Sequence, residues 1–304
     1  MSRAKTPSYL NTGDYIGIVS PAGKIDKEKI ENAIELLKNE GFKIKIGKNA
    51  LNQHNMFAGT IAERAADFQQ MLDDKKIRAI LCSRGGYGSI HTIQKLNFSS
   101  FLKNPKWIVG FSDITVFHAH INSRFNVKTI HATMPVKYYF KGEVSRSFIE
   151  LMGVLKGKKP VYNIEPNIYN KNGVAEGVIV GGNLAVLFSL FNTKYNLEID
   201  NKILFIEETG EYLYRIDRMM ASLKLSGRLK KLKGLIVGGI TGIPDDDPPF
   251  GKTIEEIIKS YVDEYDYPVC FNFPAGHIDD NMPVILGNQV TLDVSNKETV
   301  LLFK

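Results

Sequence analysis

Cysteine is scarce: the 304 residues hold two, Cys82 and Cys270, each inside an apolar strand-like run. Two thiols cannot build the disulfide framework of a small secreted scaffold, so buried free thiols in a reducing cytoplasm are expected. Long hydrophobic runs are also missing, and none approaches the ~20 residues a membrane-spanning helix needs. The opening MSRAKTPSYLNTGD carries positive charge but no apolar signal-peptide core ahead of the first strand. These absences point to a cytoplasmic protein without a membrane segment. Neither sign of charge dominates, since 39 basic and 33 acidic side chains leave a net charge of +6. The basic excess gathers at Lys137, Lys141, Lys156, Lys158 and Lys159, and again at Arg228, Lys230, Lys231 and Lys233. Acids are interleaved and no nucleic-acid-reading motif accompanies the lysines, so they read as solvated surface. Internal repeats and low-complexity segments are lacking too, which excludes solenoids and extended disorder.

Nucleotide fingerprints fail on inspection. Ser83-Arg-Gly-Gly-Tyr-Gly-Ser89 follows an apolar strand and precedes a short helix, but after Gly86 and Gly88 the third glycine position holds His91. Gly251-Lys-Thr253 resembles the tail of a phosphate-binding loop, yet Asp246 stands where its first glycine belongs. The neighbouring Asp245 and Asp247 would repel phosphate, and the DDDPP stretch reads as a loop. What survives is a glycine turn at the carboxyl end of a strand, where open α/β sheets bind ligands and where backbone N–H groups can approach one closely.

Hydrophobic content of 43% with 24% charged residues describes a globular chain with ample core, and the length favours two domains. Through the first half, strand and helix signals alternate. DYIGIVSP, FKIKIG, IRAILCS, WIVGF and KTIHAT read as strands. Between the first two, DKEKIENAIELLKNEG reads as a helix with Ile30, Ala33, Ile34 and Leu37 on one face and Gly41 as its stop. Thr60, three residues before Glu63, predicts a capping box ahead of the helix TIAERAADFQQML. This alternation predicts a parallel sheet covered by helices on both faces. From residue 156 the texture changes. KGKKPVYNIEPNIYNKNG has little periodicity and many turn formers, and reads as a linker or crossover. Many short strands then follow, with helices expected near 183–192, 213–225 and 253–264. The closing MPVILGNQVTLDVSNKETVLLF reads as an antiparallel meander. The expected units are an N-terminal α/β domain over 1–155, a linker over 156–175 and a strand-rich α/β domain over 176–304.

Candidate chemistry narrows to a few residues. His118 and His120 fall two apart on a helix and point in different directions, and His131 lies on another strand, so no metal site is expected. Cys82 lies within its strand, before the turn, which argues against a nucleophile. Ser112, in Trp107-Ile-Val-Gly-Phe-Ser-Asp-Ile-Thr115, stands where a strand breaks sharply into a helix. Such a serine is either a helix cap or a nucleophile on an elbow. Gly110-Phe-Ser112 keeps the first glycine of G-x-S-x-G, but Ile114 replaces the second. A nucleophilic serine needs a base and an orienting acid. His277 follows the apolar run VCFNF in a loop, and Lys202-Ile-Leu-Phe-Ile-Glu-Glu-Thr-Gly210 ends a strand in two carboxylates, Glu207 being nearer to burial. The chain order Ser, Glu, His is one of the known triad orders. Strand alternation sends Glu207 and Glu208 to opposite faces, so one alone can serve.

The stretches VSPAG (19–23), FAGTIAERAADF (57–68), SRGGYGS (83–89), GFSDIT (110–115), IHATMP (130–135), GGNLAVL (181–187), IEETGEYLYRIDRM (206–219) and FPAGHIDDNMP (273–283) span the chain. Together they resemble the L,D-carboxypeptidases, or muramoyl-tetrapeptide carboxypeptidases, whose wider family includes microcin C immunity peptidases. The resemblance implies an N-terminal parallel, doubly wound (flavodoxin- or class I glutaminase-like) domain and a C-terminal strand-rich α/β domain, with a serine peptidase site between them. It makes Ser112 the nucleophile, Glu207 the acid and His277 the base. The oxyanion hole would use the Asp113 N–H and one from Gly86, with Gly85 as the alternative. Arg84 and Arg215 are candidates for the substrate's free carboxylate. No metal or organic cofactor is implied, and a homodimer is. The implied substrate is a murein tetrapeptide ending in D-alanine. Microcin-type aminoacyl-nucleotide conjugates are the alternative, and a ligand-binding module without catalysis is the third reading.

Overall fold

Strands β1 (Tyr15–Val19), β2 (Lys43–Ile46), β3 (Ile77–Cys82), β4 (Trp107–Gly110) and β5 (Thr129–His131) form the first sheet of the computed structural model, which describes residues 4–245 and 247–304. Residues 1–3 and Asp246 of the failed phosphate loop lie outside the described residues. The five strands run parallel in the order β5-β4-β3-β1-β2, the doubly wound arrangement expected. Helices α1 (Lys27–Asn39), α2 (Ile61–Asp73), α3 (Ser89–Ile93), α4 (Ser99–Lys103) and α5 (Thr115–His120) connect them. The continuous apolar runs of β3 and β4 follow from coverage on both faces. Ala79, Leu81, Trp107 and Val109 pack toward α1, while Ile80, Cys82 and Ile108 pack toward α2 and α5. The capping box forms as predicted: Thr60 Oγ1 accepts from the Glu63 N–H (3.3 Å) and Glu63 Oε2 from the Thr60 N–H (2.7 Å).

A small hairpin, β6 (Tyr139–Phe140) and β7 (Glu143–Val144), leads into α6 (Arg146–Leu155). The second half supplies β8 (Val161–Ile164), β9 (Gly173–Asn183), α7 (Leu184–Leu190), β10 (Ile203–Thr209), α8 (Leu213–Leu225), β11 (Gly234–Thr241), α9 (Ile254–Val262), β12 (Val269–Cys270), β13 (Val284–Leu286), β14 (Gln289–Val294) and β15 (Thr299–Phe303). The second sheet has the order β12-β11-β10-β9-β14-β15-β8. Strands β9 to β12 are parallel, and the remaining pairings are antiparallel. The three helices expected near 183–192, 213–225 and 253–264 are α7, α8 and α9. Among the described residues no helix is long and apolar enough to cross a membrane.

Two expectations change. The stretch 156–173, read as a linker or crossover, contains the strand β8. Tyr162 and Ile164 turn inward and Val161 and Asn163 outward, an alternation too brief to stand out among turn formers. The meander over 282–303 is also incomplete: β14 pairs with β15, but β13 crosses to the first sheet and pairs antiparallel with β5. Val284, Ile285 and Leu286 are all buried, and a strand with no polar face needs cover on both sides. Burial on both faces is legible in a sequence, whereas the identity of the partner is not. A further tie between the halves is the Asn183 N–H, which donates to Thr115 Oγ1 (3.0 Å). The carboxyl ends of β3, β4 and β10 and the loop after β12 therefore meet at one place.

Candidate active site

Beyond β4, Phe111 is extended and Ser112 turns to φ +64° before a tight turn over Ser112–Ile114 enters α5. A non-glycine residue in the left-handed region costs roughly 1–2 kcal/mol, and such strain gathers at functional sites. Ser112 is the first residue of that turn and Phe111, without a polar side chain, is its N-cap. Ser112 Oγ lies 3.1 Å from His277 Nε2. The motif's missing second glycine has a steric explanation. A Cβ on Gly110 would meet Ile114 Cγ1 at 2.9 Å, so Ile114 fills the space that the bare Gly110 leaves.

His277 Nδ1 lies 2.6 Å from Glu207 Oε2. Glu207 is fully buried near the end of β10, whereas the imidazole keeps 18% of its surface exposed. The loop after β12 is fixed around the histidine. Thr241 Oγ1 donates to the His277 carbonyl (2.8 Å), and the Gly276 N–H donates to Asn281 Oδ1 (2.8 Å). Gly276, at φ +116°, must lack a side chain, because a Cβ there would stand 2.7 Å from Glu207 Cβ. The Phe111 ring packs at a tilt of 58° against the imidazole, with the ring centroids 4.9 Å apart.

Glu208 takes the opposite face, as alternation requires. Its Oε1 accepts from Asn183 Nδ2 (2.8 Å) and the Thr209 N–H (2.8 Å), and its Oε2 from the Ala185 N–H (2.6 Å). It thus satisfies the start of α7 rather than the histidine. Burial raises its carboxyl above the ordinary range, with the three donors opposing.

The glycine turn after β3 lies directly against the serine. A Cβ on Gly85 would come within 3.2 Å of Ser112 Oγ. The Gly85 carbonyl accepts from the Gly23 N–H (3.0 Å), so in a trans peptide the Gly86 N–H points the other way. Among the described residues, neither this N–H nor that of Asp113 has an acceptor in the protein. Of the two cations, Arg84 adjoins this turn and its Nη1 donates to the Lys24 carbonyl (3.0 Å). Arg215 is engaged elsewhere, with Glu211 Oε2 at 3.2 Å and the Tyr214 hydroxyl at 3.2 Å.

The structure therefore brings Ser112, Asp113, Gly85, Gly86, Glu207 and His277 together. A hydroxyl within reach of an imidazole whose far nitrogen is held by a buried carboxylate can be deprotonated as it attacks. Thr241 and Asn281 escaped the sequence reading. Both look like ordinary polar exits from a strand or turn, and nothing local shows that they grip the histidine's loop.

Of the other histidines of this region, His118 and His131 are core groups and His120 is half-buried. His118 is fully buried beneath the serine turn, where its Nε2 donates to the Gly110 carbonyl (2.8 Å). Burial pushes it down to about 4, and His120 likewise to about 4. His131 is held well below its ordinary value, first by burial and then by the charges of His118 and His277. Burial likewise raises the Cys82 thiol, in keeping with an inert core thiol. Between pH 6.5 and about 4 the unfolded chain protonates His118 while the folded chain does not, so this contribution to stability is lost as pH falls. His118→Gln is expected to flatten the pH dependence of unfolding free energy in that window, by up to about 1.4 kcal/mol per pH unit. Urea titrations at several pH values check this, and parallel slopes in the two proteins would contradict it.

Comparison with known proteins follows the same lines. Residues 16–132 match the family model of the LD-carboxypeptidase N-terminal domain, and residues 176–292 that of the LD-carboxypeptidase C-terminal domain. The chain is 31% identical to the probable murein peptide carboxypeptidase of Bacillus subtilis, over 97% of this chain and 93% of that protein. It is 26% identical to the microcin C7 self-immunity protein MccF of Escherichia coli, over 95% and 93%. Its fold matches the crystal structure of muramoyltetrapeptide carboxypeptidase from Oxalobacter formigenes with a TM-score of 0.86, covering 95% of this chain and 98% of that one at 24% identity.

Proposed function

The chain belongs to the LD-carboxypeptidase family, and from that premise we propose that it is a serine-type L,D-carboxypeptidase that removes the terminal D-alanine from murein tetrapeptides during cell-wall recycling. The observation that carries the serine mechanism is the run of contacts from Ser112 Oγ to His277 Nε2 (3.1 Å) and from His277 Nδ1 to Glu207 Oε2 (2.6 Å). The substrate class is supported by the name of the Bacillus subtilis relative.

In this reading His277 Nε2 takes the Ser112 proton as Oγ attacks the carbonyl carbon before D-alanine. Glu207 accepts the Nδ1–H bond, which fixes the tautomer and stabilises the imidazolium that forms. The carbonyl oxygen gathers negative charge and is met by the N–H groups of Asp113 and Gly86. Removing one such donor typically costs about 10²–10³ in rate. The C–N bond then breaks, and His277 returns the proton to the departing amine of D-alanine. A water, deprotonated by His277, attacks the ester, and Ser112 recovers its proton as the tripeptide acid leaves. Arg84, beside Gly85, is the nearer of the two candidate cations to receive the substrate's free carboxylate.

A second reading, hydrolysis of an aminoacyl-nucleotide conjugate, is favoured by the similarity to MccF along nearly the whole chain. Against it, only α7 and the turns of 191–202 join β9 to β10, so no large extra loop is available there. Mass spectrometry of products from a murein tetrapeptide and from an aminoacyl sulfamoyl adenosine, at equal enzyme, separates the two. Release of D-alanine with no cleavage of the conjugate is expected. Cleavage of the conjugate alone would transfer the reading to the second substrate.

A further inference from the structure

We propose that the carboxylate of Asp113 is a positioning residue of the oxyanion hole, tying the glycine turn that carries one N–H donor to the serine turn that carries the other. This rests on the acyl-transfer reading above and assigns a function to a side chain whose backbone N–H alone had a role there.

The glycine turn has one backbone tie within it, from the Gly23 N–H to the Gly85 carbonyl (3.0 Å), and its far end needs another. It runs from Arg84 to Gly88, and Gly86 and Gly88 both adopt positive φ. Among the described residues none of its N–H groups has a protein acceptor. At its start it is anchored to the neighbouring strand: the Ser83 N–H donates to the Val19 carbonyl (2.7 Å), and Ser83 Oγ shares a hydrogen bond with Ser20 Oγ (2.6 Å). At its end the chain enters α3 at Ser89, whose N–H donates to Asp113 Oδ2 (2.8 Å). Asp113 is 5% exposed. The residue directly after the nucleophile therefore reaches back to hold the far end of the turn. One residue thus presents an N–H to the developing oxyanion and, through its side chain, sets where the loop bearing the second N–H lies.

A second set of bonds fixes the α3 helix that follows the turn. Arg64, 3% exposed on α2, donates from Nη1 to the Gly59 carbonyl (2.6 Å) and from Nε to Thr92 Oγ1 (3.3 Å). Thr92 in turn donates to the Pro21 carbonyl (2.8 Å), so α3 is bound to the loop after β1. The Arg64 charge favours the ionised form of Asp113, although burial is the larger effect and raises its carboxyl. A buried carboxylate satisfying a helix start is often purely structural. The distinction here is geometric: the triad has its own supports in Thr241, Asn281 and Gly276, so loosening the Asp113 tie separates the two donors without disturbing Ser112 and His277.

The expected signature is a loss in kcat with little change in KM. Asp113→Ala is expected to lower kcat by about 10²-fold, with KM changing less than about threefold, the mark of an interaction made in the transition state. Asp113→Asn keeps an acceptor oxygen for the Ser89 N–H and is expected to recover kcat to within about tenfold of wild type. Each kcat is expressed per active site titrated with a serine-directed phosphonate, which removes any loss due to unfolded protein. If kcat per titrated site is unchanged in Asp113→Ala, or if Asp113→Asn is as impaired as Asp113→Ala, the positioning role is overturned while the triad stands. If wild type is not labelled at Ser112 at all, the acyl-transfer reading falls and this proposal falls with it.

Discussion

Ser112→Ala is expected to lower kcat for tetrapeptide cleavage by about 10⁶-fold while leaving the protein folded, since triad members act as a unit and removing the nucleophile removes nearly all of their contribution. The residual rate should exceed that in water by about 10³–10⁴, from the donors and binding that remain. Stability should change by less than about 1 kcal/mol, since alanine meets the same positive φ as serine and the lost hydroxyl bond is a single one at a half-open site. Turnover measurements paired with urea midpoints check both parts. A loss of less than about tenfold would mean that Ser112 does not carry the chemistry.

The adjacent carboxylates should respond in opposite ways. Glu207→Gln is expected to reduce kcat by about 10⁴-fold, because an amide can present its NH₂ to the imidazole and favour the tautomer with hydrogen on Nε2. That nitrogen could then no longer accept the Ser112 proton. The buried position of Glu207 and its 2.6 Å contact leave water no room to substitute. Glu208→Gln should instead keep kcat within about tenfold and lose about 1–2 kcal/mol of stability, since its two oxygens together accept from three donors and one of them is replaced by an NH₂ that can only donate. Measured together, kcat and the urea midpoint distinguish the two. An activity loss in Glu208→Gln larger than in Glu207→Gln would reverse the assignment of the acid.

Much of this arrangement is legible in the amino-acid order because local patterns report local physics. Apolar runs of strand length marked β1, β3, β4 and β10, and Thr60 with Glu63 marked the start of α2. Strand ends and loops mark Ser112, Glu207 and His277 as separate candidates, and the fold sets the three at hydrogen-bond distance. Other features depend on what a local pattern cannot carry. Whether Ser112 caps a helix or faces outward is decided by its φ and by a histidine distant in sequence. Alternation separates Glu207 from Glu208 without saying which faces His277. The pairing of β13 with β5, the Thr241 bond to the His277 carbonyl and the Asp113 bond to Ser89 all join distant segments. Each depends on tertiary packing, and the residues involved are ordinary for turns and strand ends.

Acylation of Ser112 as D-alanine departs is tested most directly by acid-quenching wild-type protein during turnover of a murein tetrapeptide and mapping covalent adducts by peptide-resolved mass spectrometry, with Ser112→Ala alongside. Wild type should release D-alanine and carry the tripeptidyl mass on the peptide that contains Ser112, and Ser112→Ala should show neither. Release of D-alanine by Ser112→Ala at the wild-type rate, or an adduct mapped to another residue, would contradict a serine nucleophile at this site.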